Sequence, residues 1–444
     1  MDFSKGEYLK SIITELFPYN YSITGDESLK AQSSFNKYLD FKIYKFKSES
    51  ELNGWVIPKG WDAIEAKIKF SNGKEYDCLK ESPLGCAYLC PSYEGKVSHS
   101  ELIDHLSWRE DLPKAVVYDW TRLYRKGIEE WGLCIPWNKI KEFDKGDVEI
   151  SIKTKTYESE MLVYEFYLEG ESKDEFIINA HNCHPYQAND DISGCSVGIS
   201  FFQYLSTLKD RRYSYRLLIG PELFAPMFWA NQLSYKDSKK IKGCLLLKSI
   251  ANNSKLKVQK SFFGNSYLDK VVGLAIKESI KNDISFYGFR EYYGNDETVF
   301  ESPGLEIPSI TLTRYPFEEY HTNLDNLESL SLESLEETFN VLKNIFYILE
   351  NDKFAFSNNK GLYCLSNPKY DLYKKSSEPG ISDDGTTKLE KVWNLMMNCL
   401  PRLLSKGIYI TDLSILYSVP FKDLLDYLKL WEAKGLAKLK KIEF

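Results

Sequence analysis

The chain has 444 residues, of which 43% are hydrophobic and 27% are charged, and its formal net charge is −7. This length predicts more than one domain, and the negative charge argues against a general binder of nucleic acid or of anionic membranes. No apolar run approaches the roughly 20 residues that a membrane-spanning helix needs, so we expect no membrane association through such a helix.

The first half of the chain predicts two kinds of structure. Residues 7–17 and 28–39 repeat apolar side chains at helical spacing, which indicates two helices before about residue 42. From 43 to 128, short strand-like runs alternate with turn signals, and we expect strands at 55–57, 63–70, 88–90 and 115–118. Residues 43–128 are therefore predicted to form a β-rich domain inserted into a larger one.

Strands and helices alternate from residue 129 to 350. We expect strands at 148–152, 161–168, 175–180, 215–219, 243–247 and 307–312, and helices at 195–208, 224–233, 266–281 and 330–350. The first two strands are expected to pair with each other. The alternation predicts an α/β domain of residues 1–42 and 129–350, an αβα sandwich around a largely parallel sheet. Functional residues should then lie beyond the carboxyl ends of its strands.

The C-terminal part of the chain differs in character. Residues 351–385 are polar and irregular and predict a linker. Residues 386–444 predict helices at 389–404, 411–419 and 420–434 and a short hairpin, an order that resembles a winged helix-turn-helix domain. Its third helix carries three lysines but also three acids, so packing or protein contact is favoured over DNA binding.

Three of the five histidines fall in two short segments that also hold acids. His181 and His184 follow a predicted strand, and Asp190 lies in the turn just after them. Glu222 follows the next predicted strand, and His321 follows another. Because histidine and carboxylate are the ligands of hydrolytic zinc, we predict a metal site made of His184, Asp190, Glu222 and His321. His181 is either a further ligand or a supporting group.

Other side chains are candidates for binding or catalysis. Glu222 and Glu297 are the predicted catalytic residues, with Glu165 as an alternative base. Arg314 could hold a substrate carboxylate, although a surface ion pair explains it equally well. Cys183 is expected to be a packed small residue and not a nucleophile.

The remaining histidines and the aromatic residues have plainer interpretations. His99 and His105 lie in a polar stretch and are expected to be solvated. The aromatic residues of the inserted domain and of its C-terminal border either fill a small core, which we favour, or line a substrate cleft; they are Trp55, Trp61, Tyr88, Trp120, Tyr124 and Trp131.

At these residues the chain resembles the di-zinc aminopeptidases and the glutaminyl-cyclase-type exopeptidases. Their Asn-Asp-x-x-Ser-Gly turn, whose Asp binds zinc, is similar to residues 189–194, and a later glutamate turn is similar to 221–222. A Ser-Asp segment ending in Gly and Pro is similar to 295–308, and a Tyr-His-Thr segment is similar to 320–325. The chain resembles still more closely a bacterial subfamily of aminopeptidase-like proteins with a Cys-His-Pro motif, here 183–185, a β-rich insertion and a C-terminal winged helix.

The resemblance implies a zinc-exopeptidase-like fold, one zinc ion or two, and hydrolysis of a terminal peptide or amide bond in a small substrate. Asp296 and Tyr320 lie in these similar segments. Together with Arg314 and His181 they are expected to contact the substrate or to support the ligands. The chain departs from the family at two points. Pro221 stands where the family has a second glutamate, which leaves one of the roles of general base and ligand vacant, and residues 247–253 lack an acid, which favours one metal.

Two other interpretations stay open. One is a site that binds metal or ligand without catalysis, and the other is a regulatory protein that uses its winged helix. We expect a cytoplasmic location, because the N-terminal residues lack a signal-peptide pattern and the nine cysteines form no CxxC pair. Assembly into a homo-oligomer is left open.

Overall fold

The computed structural model describes residues 2–125, 127, 129–281, 284–374 and 388–444. Contacts between Cα atoms divide the chain into two units, one of Met1–Phe263 and Ile284–Phe339 and the other of Gly264–Asp283 and Asn340–Phe444. Within the described residues, none of the helices combines the length and the apolar character that crossing a bilayer requires.

The regular elements are the following. The helices are α1 Gly6–Leu16, α2 Asp26–Asn36, α3 Cys78–Glu81, α4 His99–Asp104, α5 Trp137–Ile140, α6 Ser193–Ser206, α7 Phe224–Ala230, α8 Tyr235–Ser238, α9 Tyr267–Ser279, α10 Glu297–Phe300, α11 Leu332–Asn351, α12 Lys388–Leu404, α13 Ile410–Tyr417 and α14 Phe421–Ala433. The strands are β1 Lys42–Lys47, β2 Glu51–Leu52, β3 Trp55–Val56, β4 Gly60–Phe70, β5 Glu75–Asp77, β6 Tyr93–Val97, β7 Leu106–Ser107, β8 Leu133–Cys134, β9 Val148–Tyr157, β10 Glu160–Leu168, β11 Glu175–His181, β12 Ser214–Gly220, β13 Ile241–Lys248, β14 Lys257–Gln259, β15 Ser285–Tyr287, β16 Ser309–Thr313, β17 Lys353–Phe356, β18 Ile408–Tyr409 and β19 Lys438–Lys441.

The first unit is built on an eight-stranded sheet with the order β1-β10-β12-β11-β13-β16-β14-β15. Its four central strands, β12, β11, β13 and β16, are parallel. The flanking strands β1 and β10 are antiparallel to their neighbours, as is β14 to β16. The sheet is therefore mixed, and the expectation of a largely parallel sheet holds only for its centre.

Helices cover both faces of this sheet. Ile177 in β11 points into one apolar cluster with Phe224 and Trp229 of α7. On the opposite face, α6 approaches β12 closely at Gly198, where an added Cβ would lie 2.8 Å from a methyl carbon of Leu217. Each fully buried aliphatic or aromatic side chain stabilises the fold by about 1.5–3 kcal/mol. The helices packed on the two faces therefore fix the positions of the central strands and of their ends.

A second, four-stranded antiparallel sheet has the order β5-β4-β9-β6. It includes β9, which was expected to pair with β10 and pairs instead with β4 and β6. The sheet thus runs past residue 128, the expected end of the insertion. The prediction of strands at 88–90 and 115–118 is wrong. The first segment forms a turn, and the second forms only a single β-bridge, from Val117 to Thr322.

The second unit carries a three-stranded antiparallel sheet, β18-β17-β19, with the helices α12, α13 and α14. Leu413, Leu424 and Trp431 are fully buried within it. The buried Asp352 carboxylate accepts hydrogen bonds from the hydroxyls of Thr411 and Tyr267 at 2.7 and 3.0 Å. The prediction of a linker at 351–385 is wrong for residues 353–356, which form the strand β17. Residues 375–385 of the predicted linker lie outside the described part of the chain.

Candidate metal centre

The candidate site lies where the four central strands end. β11 ends at His181 and β13 at Lys248, while β12 and β16 lead into the segments of Glu222 and His321. Because parallel strands present their carboxyl ends at one edge of the sheet, these loops converge as the sequence predicted.

The turn that carries Asp190 is fixed by two other buried acids. The Asp325 carboxylate accepts the backbone N–H groups of Asn189 and Asp190 at 2.7 and 2.9 Å. Asp191 accepts the backbone N–H of Ser249 at 3.0 Å, which ties the turn to the end of β13. Asp190, Asp191 and Asp325 have no exposed surface. The position of Asp190 is therefore set before any ligand binds, by two acids to which sequence reasoning gave no role.

Three of the four predicted ligands meet in one group of His184, Asp190 and His321. The distances from Asp190 Oδ2 are 3.8 Å to His184 Nε2 and 3.6 Å to His321 Nε2. Two ligand atoms about 2.1 Å from a tetrahedral zinc ion are roughly 3.4 Å apart. These gaps are too long for hydrogen bonds and close to those that one shared metal ion would set.

The hydrogen bonding of His184 supports this interpretation. Its Nδ1 lies 2.9 Å from the Pro185 carbonyl oxygen, which can only accept, so Nδ1 carries the proton of the neutral ring. The lone pair is then on Nε2, which faces a carboxylate that is also an acceptor. Among the described residues, His184 Nε2 and Asp190 Oδ2 are buried without a hydrogen-bond partner. Two facing acceptors call for a cation between them, and the Pro185 carbonyl orients the ring for it.

His321 is held differently. Its backbone carbonyl accepts the Tyr118 N–H at 2.8 Å, and its ring stacks on Tyr320 with centroids 3.9 Å apart. The Trp120 indole N–H donates to His321 Nδ1 at 3.2 Å. In this arrangement a neutral His321 carries its proton on Nε2, and binding a metal there requires the proton to move to Nδ1 and the Trp120 contact to break.

His181 does not join this group. Its Nε2 lies 2.5 Å from the Nζ atom of Lys248, and the same Nζ atom lies 2.5 Å from Asp190 Oδ1. Lys248 is fully buried. A fully buried lysine is rare, and sequence reasoning found no sign of it beyond the lack of an acid in this segment.

The charges in the site depend on one another. Burial acts to raise the pKa of Asp190, but Lys248 and the histidines outweigh it and hold that pKa well below its ordinary value. Burial and Lys248 keep the pKa of His181 well below its ordinary value, and burial with His184 does the same for His321. Neutral histidine is the form that binds a metal ion.

Of the predicted acids, Glu222 alone lines the site cavity. Its carboxylate groups with His181 and Cys183 instead of with the three predicted ligands. Burial raises its pKa, with Asp190 adding to the rise and Lys248 opposing it. Asp296 accepts the Leu223 N–H at 2.6 Å and so fixes the loop beside Glu222.

Glu297, Arg314 and Glu165 do not line the cavity. Glu297 accepts the Asn295 N–H at 2.9 Å, and burial raises its pKa to about 7. Arg314 is buried and donates to the Ile250 and Ser254 carbonyls and to a carboxylate, so its donors serve the fold. Glu165 forms an ion pair 2.5 Å from an arginine on the neighbouring strand.

The other sequence candidates have structural settings. Cys183 is buried, as expected, with Sγ 3.5 Å from His181 Nδ1. His105 stacks on Trp131 with centroids 4.0 Å apart, so the expectation that it is solvated is wrong. His99 is half-buried and lies outside the cavity lining.

A cavity of about 250 Å³ opens onto the site. Its walls include Trp120 and Tyr124, so these two aromatic residues serve the cleft and not a core. Tyr118 also lines it and stacks on His184 with centroids 4.9 Å apart. Arg290, which sequence reasoning missed, is a cationic member of the lining. The cavity suits a small molecule held between aromatic side chains.

Comparison with known proteins identifies the family. The family described as domain of unknown function DUF4910 matches residues 10–352. The chain belongs to the DUF4910 family. A Clostridium acetobutylicum protein, provisionally named a polysaccharide biosynthesis protein with aminopeptidase-like domain, is 28% identical to this DUF4910 chain over 355 residues, which are 78% of this chain and 79% of that protein.

Solved structures share the fold. A C. acetobutylicum protein provisionally named a peptidase has a TM-score of 0.79 at 23% identity, over 98% of this DUF4910 chain and 96% of that one. A zinc aminopeptidase of Bacillus subtilis has a TM-score of 0.58 at 17% identity, over 77% and 94% of the two chains. A peptidase M28 precursor of Shewanella amazonensis has a TM-score of 0.52 at 12% identity, over 77% and 92%. The mixed α/β fold with its large central sheet is thus that of aminopeptidases, as the sequence predicted.

Proposed function

We propose that the protein is a metal-dependent hydrolase that cleaves a terminal peptide or amide bond in a small substrate. The observation that carries this proposal is the pair of buried, unpartnered acceptors His184 Nε2 and Asp190 Oδ2, 3.8 Å apart with His321 beside them. This donor set, two imidazoles and one carboxylate, fits a catalytic zinc ion, which keeps a further position open for water or substrate.

In this proposal three residues hold the metal ion and a fourth acts as the general base. A zinc ion held by His184, Asp190 and His321 would polarise the carbonyl and lower the pKa of its water toward ~7. Glu222 would serve as the general base, accepting a proton from water on its carboxylate and returning it to the leaving amine. Burial raises the pKa of Glu222, which favours uptake of a proton by its carboxylate.

The cavity supports a small substrate with an anionic group. Tyr118, Trp120 and Tyr124 line the site, and the volume of about 250 Å³ leaves no room for a folded protein chain. Arg290 lines the same cavity and is placed to bind a substrate carboxylate. An amino acid or peptide that ends in a carboxylate fits both properties.

Activity and metal content test the proposal together. The chelator-treated protein is reloaded with Zn²⁺ or Mn²⁺ and assayed on aminoacyl anilides and N-acyl amino acids. Glu222→Gln should lower kcat by about 10²–10⁴-fold with an unchanged zinc content. His184→Ala should lose both zinc and activity, whereas His99→Ala should keep both. Equal activity with and without metal would contradict the proposal.

A second candidate function is ligand binding without catalysis. The buried ion pair of Lys248 with Asp190 favours this alternative, because Lys248 neutralises the carboxylate that a catalytic metal would also need as a ligand. Binding of an aminoacyl hydroxamate to the zinc-loaded protein, with no turnover of any anilide or N-acyl amino acid, would support this alternative against the hydrolase.

We also propose an inserted domain, a C-terminal winged helix and a cytoplasmic location. The four-stranded sheet supports an inserted domain, and the order of helices and strands from α12 to β19 supports a winged helix with a packing or protein-contact role. The nine free cysteines, seven of them buried, support a cytoplasmic location.

A further inference from the structure

Lys248 occupies an unusual position for a lysine. It is the last residue of β13 and has no exposed surface. Its ammonium nitrogen is 2.5 Å from Asp190 Oδ1, 2.5 Å from His181 Nε2 and 5.3 Å from the centre of the Tyr293 ring. A buried charge of this kind persists only when it is paired, and here the carboxylate and the imidazole supply the pairing.

The two partners of Lys248 are metal-ligand atoms. His181 Nε2 and Asp190 Oδ1 lie 3.5 Å apart, a spacing close to that of the neighbouring group around Asp190 Oδ2. The two oxygens of Asp190 therefore face two cation positions. One lies toward His184 and His321, and the other contains the Lys248 ammonium. In two-metal hydrolases two ions occupy such positions about 3.5–4 Å apart, with a carboxylate between them.

The distances leave no space for an ion at the second position. A zinc ion about 2.1 Å from both Asp190 Oδ1 and His181 Nε2 would lie within about 3 Å of Lys248 Nζ wherever it sat around those atoms. An ammonium and a divalent cation cannot share that space, since both are positive and Nζ has no lone pair when protonated. The residues at this position do not fit a second metal.

We propose that the Lys248 ammonium stands permanently in place of a second metal ion, so that the centre can hold at most one exchangeable metal beside a built-in cation. This inference rests on the proposed function for the identity of the first position. It goes further in assigning the second position to a side chain. Lys248 is thus a positioning residue, which holds Asp190 so that Oδ2 points toward His184 and His321.

Zinc stoichiometry tests the inference without any activity assay. Lys248→Asp removes the ammonium and adds a carboxylate beside His181 and Asp190. It should bind one zinc equivalent more than the wild type, as counted by native mass spectrometry and by elemental analysis. The added equivalent should disappear when His181→Ala is combined with it. The matched control is Lys248→Met, which keeps most of the side-chain volume and should gain none.

The outcomes separate this inference from the proposed function. One added, His181-dependent equivalent in Lys248→Asp supports it, whether the wild type holds one equivalent or none. No added equivalent in a folded Lys248→Asp protein overturns it, as do two tight equivalents in the wild type. A wild type without zinc overturns the proposed function alone. If Lys248→Asp does not fold, titration of the wild type decides, and at most one equivalent supports the inference.

Discussion

Replacing Glu297 with glutamine should stabilise the protein more at pH 8 than at pH 4.5. Glu297 is 1% exposed, and burial raises its pKa to about 7 from an ordinary 4.5. Its Oε1 accepts hydrogen bonds from Asn295 and Gln259, while its Oε2 has no partner among the described residues. The folded protein therefore favours the protonated carboxyl, whereas the unfolded chain ionises it at lower pH.

The sign and size follow from these two values. Between pH 4.5 and 7 the unfolded chain binds fewer protons than the folded one, so the free energy of unfolding falls as the pH rises. At about 1.4 kcal/mol for each pH unit, the loss reaches roughly 3 kcal/mol by pH 8. Glutamine has no proton to lose. The stability of Glu297→Gln minus that of the wild type should thus grow by about 3 kcal/mol from pH 4.5 to pH 8.

Urea unfolding of both proteins in chelator at the two pH values measures this difference. Glu142→Gln makes the same chemical change at an exposed site and should give equal differences at both pH values. A difference for Glu297→Gln that does not change with pH would refute the reasoning. The same variant should keep most of the hydrolytic activity, because Glu297 lies outside the cavity lining.

Two further substitutions probe the support of the metal ligands. Asp325→Asn keeps one acceptor for the Asn189 and Asp190 N–H groups but loses the charge. The affinity for zinc, measured by competition with a chelator, should therefore fall about 10–100-fold. An unchanged affinity would show that Asp325 does not position Asp190. Trp120→Phe removes the N–H donor that places the His321 proton on Nε2. Because zinc binding no longer breaks a hydrogen bond worth about 1 kcal/mol, zinc should bind roughly 5-fold more tightly. Weaker binding would mean that Trp120 supports the metal-bound ring.

The central strands were predictable because each is a buried apolar run. The strand expected at 175–180 is β11, and those expected at 215–219 and 243–247 are β12 and β13. All residues of β11 are buried, and such runs need no partner information to be recognised. The pairing of β9 was not predictable in the same way, since alternating side chains indicate a strand but not its neighbour.

The proximity of three candidate ligands was predictable, and the charges around them were not. His184, Asp190 and His321 follow strands whose ends must converge, so their proximity follows from the topology. Arg314 follows a strand too and Glu297 begins a helix, but their side chains point into networks that only the packed structure defines. Lys248 was missed because a lysine at a strand end is usually solvated, and its burial depends on His181 and Asp190 together.

The central claim is that His184, Asp190 and His321 hold one metal ion. Anomalous diffraction at the zinc absorption edge, from crystals of the zinc-loaded protein, tests it most directly. We expect a single peak about 2.0–2.2 Å from His184 Nε2, from Asp190 Oδ2 and from a ring nitrogen of His321. No peak among these three residues, or a second peak beside His181 where Lys248 lies, would contradict it.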